Sequence, residues 1–317
     1  DRIYTGTKDG AIVEIKNGKI SKKIRFAGGN CGIVNFDLGS YKTEPECGRP
    51  LGIRRLNKDE LIVADAYLGI YTVNFEKNSF KQILDGKKII DGKPMKFFND
   101  IEVVNEDEAI FTVSSSKWFR RDFLKAVIEN YPSGRVLLLT PSTGEVKVLM
   151  DNLYFANGIQ LFEDKKSFIV AETTMARVLR HWISGPKAGK TEVFAENLPG
   201  LPDNIRQSTN GTFWVAINTI RRKTQFSMFD FLGDRTSLRE IILKIVPNSY
   251  WPQIYKRVRP HHVMIVQLSK SGDIIYTAHD LHGAIISDIS HVSDDGSYLY
   301  FGSVHSDYIA RLSKNDL

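Results

Sequence analysis

Three stretches of the chain repeat one arrangement of oxygen-bearing side chains. Phe97-Phe-Asn-Asp-Ile101, Phe155-Ala-Asn-Gly-Ile159 and Leu198-Pro-Gly-Leu-Pro-Asp-Asn-Ile-Arg206 each set an Asn, an Asp or both between an aromatic or Pro and an Ile. Each precedes an apolar run, respectively Ala109-Ile-Phe-Thr-Val113, Ser167-Phe-Ile-Val-Ala171 and Thr212-Phe-Trp-Val-Ala-Ile-Asn218. Carboxamide and carboxylate oxygens are hard donors. If Asn99, Asn157, Asp203 and Asn204 converge, they suit Ca²⁺ and suit zinc poorly, because zinc prefers His and Cys. Any one of them is equally a turn former. Recurrence at one point of a repeating unit is what predicts a metal site. The Pro and Gly around them read as polar turns ahead of buried strands.

Other candidates are more isolated. His279 and His282, in Ala278-His-Asp-Leu-His-Gly283, are of the type used as general bases, and equally of the type found on surfaces. Glu172 follows a strand signal and is placed to enter a central channel as a buried carboxylate, with Ser114, Ser115 and Ser116 at the equivalent point of the preceding unit. A Gly-x-Ser-x-Gly elbow is absent, so serine-hydrolase chemistry has no support; His-Glu-x-x-His, P-loop and dinucleotide fingerprints are absent too.

The elements that must position these residues are short strands. Ile3–Thr7, Leu61–Asp65, Ala109–Val113, Ser167–Ala171, Thr212–Ala216 and Tyr298–Gly302 are β-branched or aromatic runs too short for typical helices. Five have a successor strand: Gly10–Glu14, Gly69–Val73, Arg135–Leu139, Ala176–Arg180 and Tyr308–Leu312. Turns carrying Gly or Asn, such as Asn17-Gly18, then suggest antiparallel hairpins. Six such units have the period of propeller blades, so the expectation is an all-β, six-bladed β-propeller forming one domain over residues 1–317. A β-sandwich would not repeat this grammar six times. In such a fold the inner strand of each blade begins near the axis, where the four donors would face one another. Two insertions read as helical caps over one face, about 117–131 and 226–257. Phe119, Phe123 and Val127 lie four apart in the first, and Leu238, Ile241, Ile242 and Ile245 at helical spacing in the second. They pack on the propeller, wall an apolar pocket or touch a membrane.

Composition sets the outer bounds. The 317 residues, 42% hydrophobic and 25% charged, describe an ordinary globular chain with a sizeable core. The net charge of +6 is scattered, with local clusters at Lys22-Lys-Ile-Arg25 and Arg221-Arg-Lys223, and no nucleic-acid motif accompanies it. Nucleic acid is therefore not an expected partner. Cys31 and Cys47, the two cysteines of the chain, flank one polar loop and suggest a disulfide formed in an oxidising compartment; two free thiols are the alternative. Asn210-Gly-Thr212 is a permitted N-glycosylation sequon. No run is long enough to span a bilayer. The first strand signal begins at Ile3, so the expectation is that an anchor or signal stood upstream.

Longer motifs then point to a family. Cys47-Gly-Arg-Pro-Leu-Gly-Ile53, Val63-Ala-Asp-Ala66, Ser114-Ser-Ser-Lys-Trp118 with Arg120-Arg-Asp122, Ala171-Glu-Thr-Thr-Met-Ala-Arg177, Leu198–Arg206 and Phe226-Ser-Met-Phe-Asp-Phe-Leu232 resemble the strictosidine synthase-like family of six-bladed propellers, in order through essentially the whole chain. The resemblance implies a type II membrane protein, its propeller outside the cytosol, with esterase-type activity on aryl esters. More distantly the layout is similar to the calcium-dependent serum paraoxonases. Their central calcium ligands fall on Asn99, Asn157, Asp203 and Asn204, and their second, structural calcium falls at Asp100. Three departures accompany this. The paraoxonase first-blade Glu would fall upstream of Asp1, Arg49-Pro-Leu-Gly-Ile53 stands where those enzymes carry a histidine motif, and Ser287 stands where plant strictosidine synthases carry their catalytic Glu. The Pictet–Spengler condensation is therefore not expected.

Together these readings predict a calcium-dependent hydrolase with arylesterase- or lactonase-type activity on small or lipophilic esters. Asp203 would serve as ligand and as base or nucleophile, with His279 as proton shuttle. The alternative is a non-catalytic extracytosolic propeller that binds a lipid or protein partner around a structural metal.

Overall fold

The computed structural model describes residues 2–28, 31, 39–221, 226–258 and 262–317. Among these residues six antiparallel sheets of three or four strands follow one another, each with its strands in sequence order, which is the architecture of a six-bladed β-propeller. Two compact units, Asp1–Phe123 with Ser133–Ala156, and Leu124–Pro132 with Asn157–Leu317, divide the blades between them.

The first unit holds three blades. They are β1–β3 (Arg2–Gly6, Ala11–Lys16, Lys19–Arg25), β4–β7 (Pro50–Arg55, Leu61–Asp65, Gly69–Asn74, Ser79–Asp85) and, after a small hairpin β8–β9 (Ile89–Ile90, Lys93–Pro94), β10–β13 (Phe97–Asn105, Glu108–Ser115, Gly134–Thr140, Glu145–Leu153). The second unit holds β14–β17 (Ala156–Leu161, Ser167–Glu172, Arg177–Trp182, Thr191–Ala195), whose first residue falls in the first unit. It continues with β18–β21 (Gly200–Gln207, Phe213–Ile220, Val263–Leu268, Ile274–Asp280) and β22–β24 (His291–Asp294, Tyr298–Gly302, Ala310–Ser313).

The strand signals seen in the sequence correspond to β1, β5, β11, β15, β19 and β23. Five of these six are the second strands of their blades, and four of those five are strongly apolar because both faces of the sheet are covered. Along β19, Phe213, Val215 and Ile217 pack with Ile169, Val178 and Ile205, while Trp214 and Ala216 pack with Ile289, Val292 and Leu299. The period of two thus sends alternate side chains to the two neighbouring blades. In the first unit Ile62, Ile70, Phe98, Phe111 and Leu137 fill the same kind of interface.

Helices appear at both predicted insertions. A 3₁₀ turn at Arg120–Asp122 leads into α2 (Phe123–Glu129), α1 being the earlier Gly39–Cys47. The second insertion folds as α3 (Met228–Leu232), α4 (Thr236–Ile245), a 3₁₀ turn at Asn248–Tyr250 and α5 (Trp251–Val258). In α4 the apolar face is only partly covered, with Leu238 and Ile242 half-buried. Ile241 and Ile245 are 51% and 69% exposed, while Arg239 is buried, with its Nε donating to Leu232 O at 2.5 Å. The helical spacing is as expected, and the helix is rotated so that its covered side runs through Leu238, Arg239 and Ile242. Cys31 and Cys47 form the expected disulfide, with Cα atoms 5.3 Å apart. Of the basic cluster at Arg221-Arg-Lys223, Arg222 and Lys223 lie outside the described residues.

Candidate functional site

The predicted donors lie on first strands of their blades rather than on turns. On β10, Phe98 pairs with Val113 and Ile101 with Phe111, so Asn99 and Asp100 together face Thr112. On β18, Pro202 pairs with Ile217 and Ile205 with Val215, so Asp203 and Asn204 together face Ala216. Both are β-bulges, which free two adjacent side chains from strict alternation. A first strand is also a sheet edge, where Pro202 loses little by lacking an N–H. The turn-like composition of these stretches marks bulged edge strands. Close approach of neighbouring first strands is enforced by glycine: a Cβ on Gly158 would lie 2.5 Å from Asn204 Cα, which sets Asn157 of β14 beside the Asp203–Asn204 bulge of β18.

Hydrogen bonding then decides which way each amide points. Thr173 Oγ1 donates its single proton to Pro202 O at 2.8 Å, so it can only accept from Asn157, whose Nδ2 lies 3.1 Å away. Asn157 Oδ1 is left as the other end of the amide, buried and with no hydrogen-bond partner. Asn204 commits Nδ2 to a backbone carbonyl, Ser290 O, at 2.8 Å, and its own N–H donates to the same oxygen at 3.1 Å. In the first unit Asn99 repeats the device: Ser114 Oγ donates to Ala156 O at 2.7 Å and accepts from Asn99 Nδ2 at 2.8 Å. Each Asn thus spends its donor end on the protein and keeps its oxygen. An orphaned buried carbonyl oxygen costs about 1–3 kcal/mol unless something meets it. Beside a half-buried carboxylate at Asp203, a hard cation is the group that fits. Ser114 and Thr173 were not singled out as positioning groups. The signal for them was their offset, 15 and 16 residues after the Asn each one holds.

A second pair was missed. Asp288 is buried, and its Oδ2 lies 2.5 Å from His305 Nδ1, with Tyr255 of α5 against the imidazole at 5.1 Å between ring centroids. His305 follows the end of β23 as Thr173 follows the end of β15, and Asp288 lies two residues before the Ser290 that holds Asn204. The same end of the second unit carries the helices: Thr174 Oγ1 bonds Asn130 Oδ1 at 2.5 Å, just beyond α2, and Lys125 Nζ of α2 bonds Asn248 Oδ1 at 2.8 Å.

The remaining sequence candidates are placed otherwise. His279 lies on β21, the outermost strand of the blade whose innermost strand holds Asp203. Its register runs through Met264 and Ile217 to Pro202, three strand spacings or about 14 Å. Direct proton exchange between His279 and Asp203 is therefore ruled out by distance. His282 is exposed. Glu172 is buried as expected, and Arg177 Nε meets it at 2.5 Å, so its charge is already balanced. Asp100 is fully buried beside the guanidinium of Arg54, which lies 3.5 Å from Asp100 and 2.5 Å from Glu102. Where the paraoxonase comparison implies a structural calcium, this chain has an arginine. Ser287 is half-buried, and Asn210 is exposed in the turn before β19. Among the described residues no three His, Cys, Asp or Glu side chains cluster as a metal site, so the candidate donors are mainly amides. A cleft of about 310 Å³ between Phe162, Asp164, Gln207 and Lys270 contains none of them.

Known proteins resemble this chain in sequence or in fold. The sequence profile described as strictosidine synthase matches residues 99–186, a segment that includes Asn99, Asn157 and Glu172. The adipocyte plasma membrane-associated protein of Mus musculus is 42% identical over 314 residues, covering 99% of this chain and 73% of that protein. The chain belongs to the adipocyte plasma membrane-associated protein family. The Homo sapiens member of that family is likewise 42% identical over 99% of this chain and 73% of its own length. Protein strictosidine synthase-like 3 of Arabidopsis thaliana is 34% identical, covering 97% of this chain and 78% of its own. Among solved structures, a calcium-binding regucalcin from Agrobacterium tumefaciens superposes with a TM-score of 0.54 at 12% identity, over 97% of this chain and 78% of that one. A nidogen/laminin complex chain superposes at 0.57 and 9% identity, over 99% and 89%. At such identities these two show a shared fold. Family members are named for the plasma membrane, and the disulfide speaks for an extracellular or lumenal domain. No helix among the described residues is long and apolar enough to cross a membrane.

Proposed function

We propose that this member of the family is an extracytosolic, calcium-dependent hydrolase of aryl esters or lactones, its hydrolytic centre built at Asn157, Asp203 and Asn204. The observation that carries the reading is the buried, unpartnered Asn157 Oδ1, set by Gly158 against the bulge that holds Asp203 and Asn204. A calcium ion bound by these oxygens would polarise an ester carbonyl and stabilise the charge that develops on its oxygen.

The chain's own residues supply the rest. Thr173 and Ser290 lock the two amides with their oxygens forward, so no reorientation is needed when negative charge arrives nearby. Asp288 accepts from His305 Nδ1, which fixes the tautomer and leaves Nε2 as the basic nitrogen. His305 Nε2 takes the proton of an attacking water, and Asp288 stabilises the imidazolium that results. Tyr255 holds the ring in place from α5. Asp203 serves as a cation ligand in this scheme, and His305 takes the part first given to His279.

The test is turnover of phenyl acetate by the full chain with calcium, with chelator, and in Asp203→Ala and His305→Asn. Chelation and Asp203→Ala should abolish turnover, while His305→Asn should lower kcat by roughly 10²–10⁴ with little change in KM. Turnover indifferent to all three would overturn the proposal. The second reading, a non-catalytic lipid-binding propeller, is favoured by the exposed Ile241 and Ile245 of α4. It predicts saturable lipid binding and no turnover on any ester.

A further inference from the structure

His262 and His279 play no part in that scheme, yet they stand together. Met264 of β20 pairs with His279 of β21, and His262 lies two residues before Met264, so the two histidines are diagonal neighbours on one face of the fifth blade. His262 Nε2 and His279 Nδ1 are 3.0 Å apart, with ring centroids separated by 5.2 Å and planes tilted by 43°. His279 is exposed and His262 half-buried, so water and ions reach the pair.

We propose that His262 and His279 form a surface site for a borderline divalent transition ion, Zn²⁺, Ni²⁺ or Cu²⁺, distinct from the hard-cation site at Asn157 and Asp203. Two imidazoles sharing a tetrahedral ion at metal–nitrogen distances of about 2.0–2.1 Å have ring centroids roughly 5 Å apart. The observed spacing meets that requirement, and a small rotation of each ring brings both nitrogens onto one ion without moving the strands. The second nitrogen of His279 is already provided for. Its Nε2 lies 3.3 Å from Thr277 Oγ1, so with Nδ1 on the ion, Nε2–H donates to the Thr277 hydroxyl and the ring is held in the liganding tautomer.

Donor chemistry separates this site from the other one. Imidazole nitrogens suit zinc, nickel and copper, whereas calcium and magnesium take oxygen ligands. Among the described residues no third His, Cys, Asp or Glu joins the pair, and the carboxylate next in the chain, Asp280, accepts the N–H groups of Ala284 and Ile285. The protein therefore contributes two ligands, and water or an external donor completes the shell. Such an ion would tie the start of β20 to β21, an edge strand with one neighbour.

The experiment is equilibrium dialysis of untagged full chain, stripped of metal, against Zn²⁺ and separately Cu²⁺, for the wild type, His262→Asn, His279→Asn and Thr277→Val. One ion should bind per chain, with Cu²⁺ tighter than Zn²⁺. Either His substitution should weaken it by more than about tenfold and Thr277→Val by about tenfold. Millimolar Ca²⁺ should not compete. Both histidines are at the surface, so metal-free melting temperatures should stay close to the wild type and serve as the folding control. Zn²⁺ binding unchanged in both histidine variants, or no saturable binding in the wild type, would overturn the proposal.

Discussion

Asn157→Asp is the substitution that tests the cation site most directly, because the structure predicts unequal effects in two solutions. The change keeps the side chain's shape, turns the nitrogen into an oxygen and adds a negative charge at a 4% exposed position. Thr173 Oγ1 must then donate to the new carboxylate and abandon Pro202 O, or stay and face an oxygen it cannot bond. Without a cation, an uncompensated buried charge costs about 3–5 kcal/mol. At about 2 °C per kcal/mol for a chain of this size, the melting temperature in chelator should fall by roughly 6–10 °C. With calcium the added charge becomes a stronger ligand, and a cation at a thousandfold above its Kd returns about 4 kcal/mol. Thermal unfolding by circular dichroism, with chelator and with calcium, should show a calcium-dependent rise larger in the variant than in the wild type. An equal loss in both buffers would mean that Asn157 is only a packing residue, and the cation argument would fail.

Arg54→Met should cost about 3–5 kcal/mol by leaving Asp100 and Glu102 buried without their counter-charge, read as a shift of the urea midpoint; a loss below about 1 kcal/mol would refute that pairing. Two carboxylates give the acid–base profile opposite slopes. Burial pushes Asp65 up to about 6, against the N–H groups of Leu68, Tyr67 and Arg49 that pull it down. The folded state therefore holds that proton more tightly than the unfolded chain, and stability falls by about 3 kcal/mol as pH rises from about 4 through 6. Asp9 runs the other way: burial raises it, but hydrogen bonds from Lys23, Thr7 and Arg25 hold it at about 2, so its contribution is lost as pH drops below about 4. From these two groups urea midpoints should peak near pH 4, and a steady rise from there to pH 8 would contradict the Asp65 assignment. In α4, Arg239→Ala should lower the melting temperature by several degrees while Ile245→Lys leaves it nearly unchanged; the reverse order would show that the helix faces the other way.

The sequence displayed the second strands of the blades because both their faces are buried, which writes runs such as Leu61-Ile-Val-Ala64 in continuous apolar residues. It hid the first strands. Asn99-Asp100 and Asp203-Asn204 look like turns because bulges favour the same residues as turns do, and only pairing distinguishes the two. Asn99, Asn157, Asp203 and Asn204 were nonetheless legible, since repetition survives a mistaken local assignment. Asp288 and His305 were not, being 17 residues apart across a hairpin with no motif around them. The placement of α4 was half legible: spacing reveals that a helix has an apolar face, not how much of that face is covered. Arg54 was invisible as a partner of Asp100, because a salt bridge between residues so far apart in the chain leaves no local trace.

That arginine has a consequence for where the protein can work. A carboxylate neutralised by a dissolved ion depends on the ion's supply, and it loses its counter-charge wherever calcium runs low. Asp100 and Glu102 are neutralised by a group joined to the same chain, present from the moment of synthesis and untouched by chelators. For these two carboxylates, then, the balance of charge is set by the sequence and not by the ion content of the compartment.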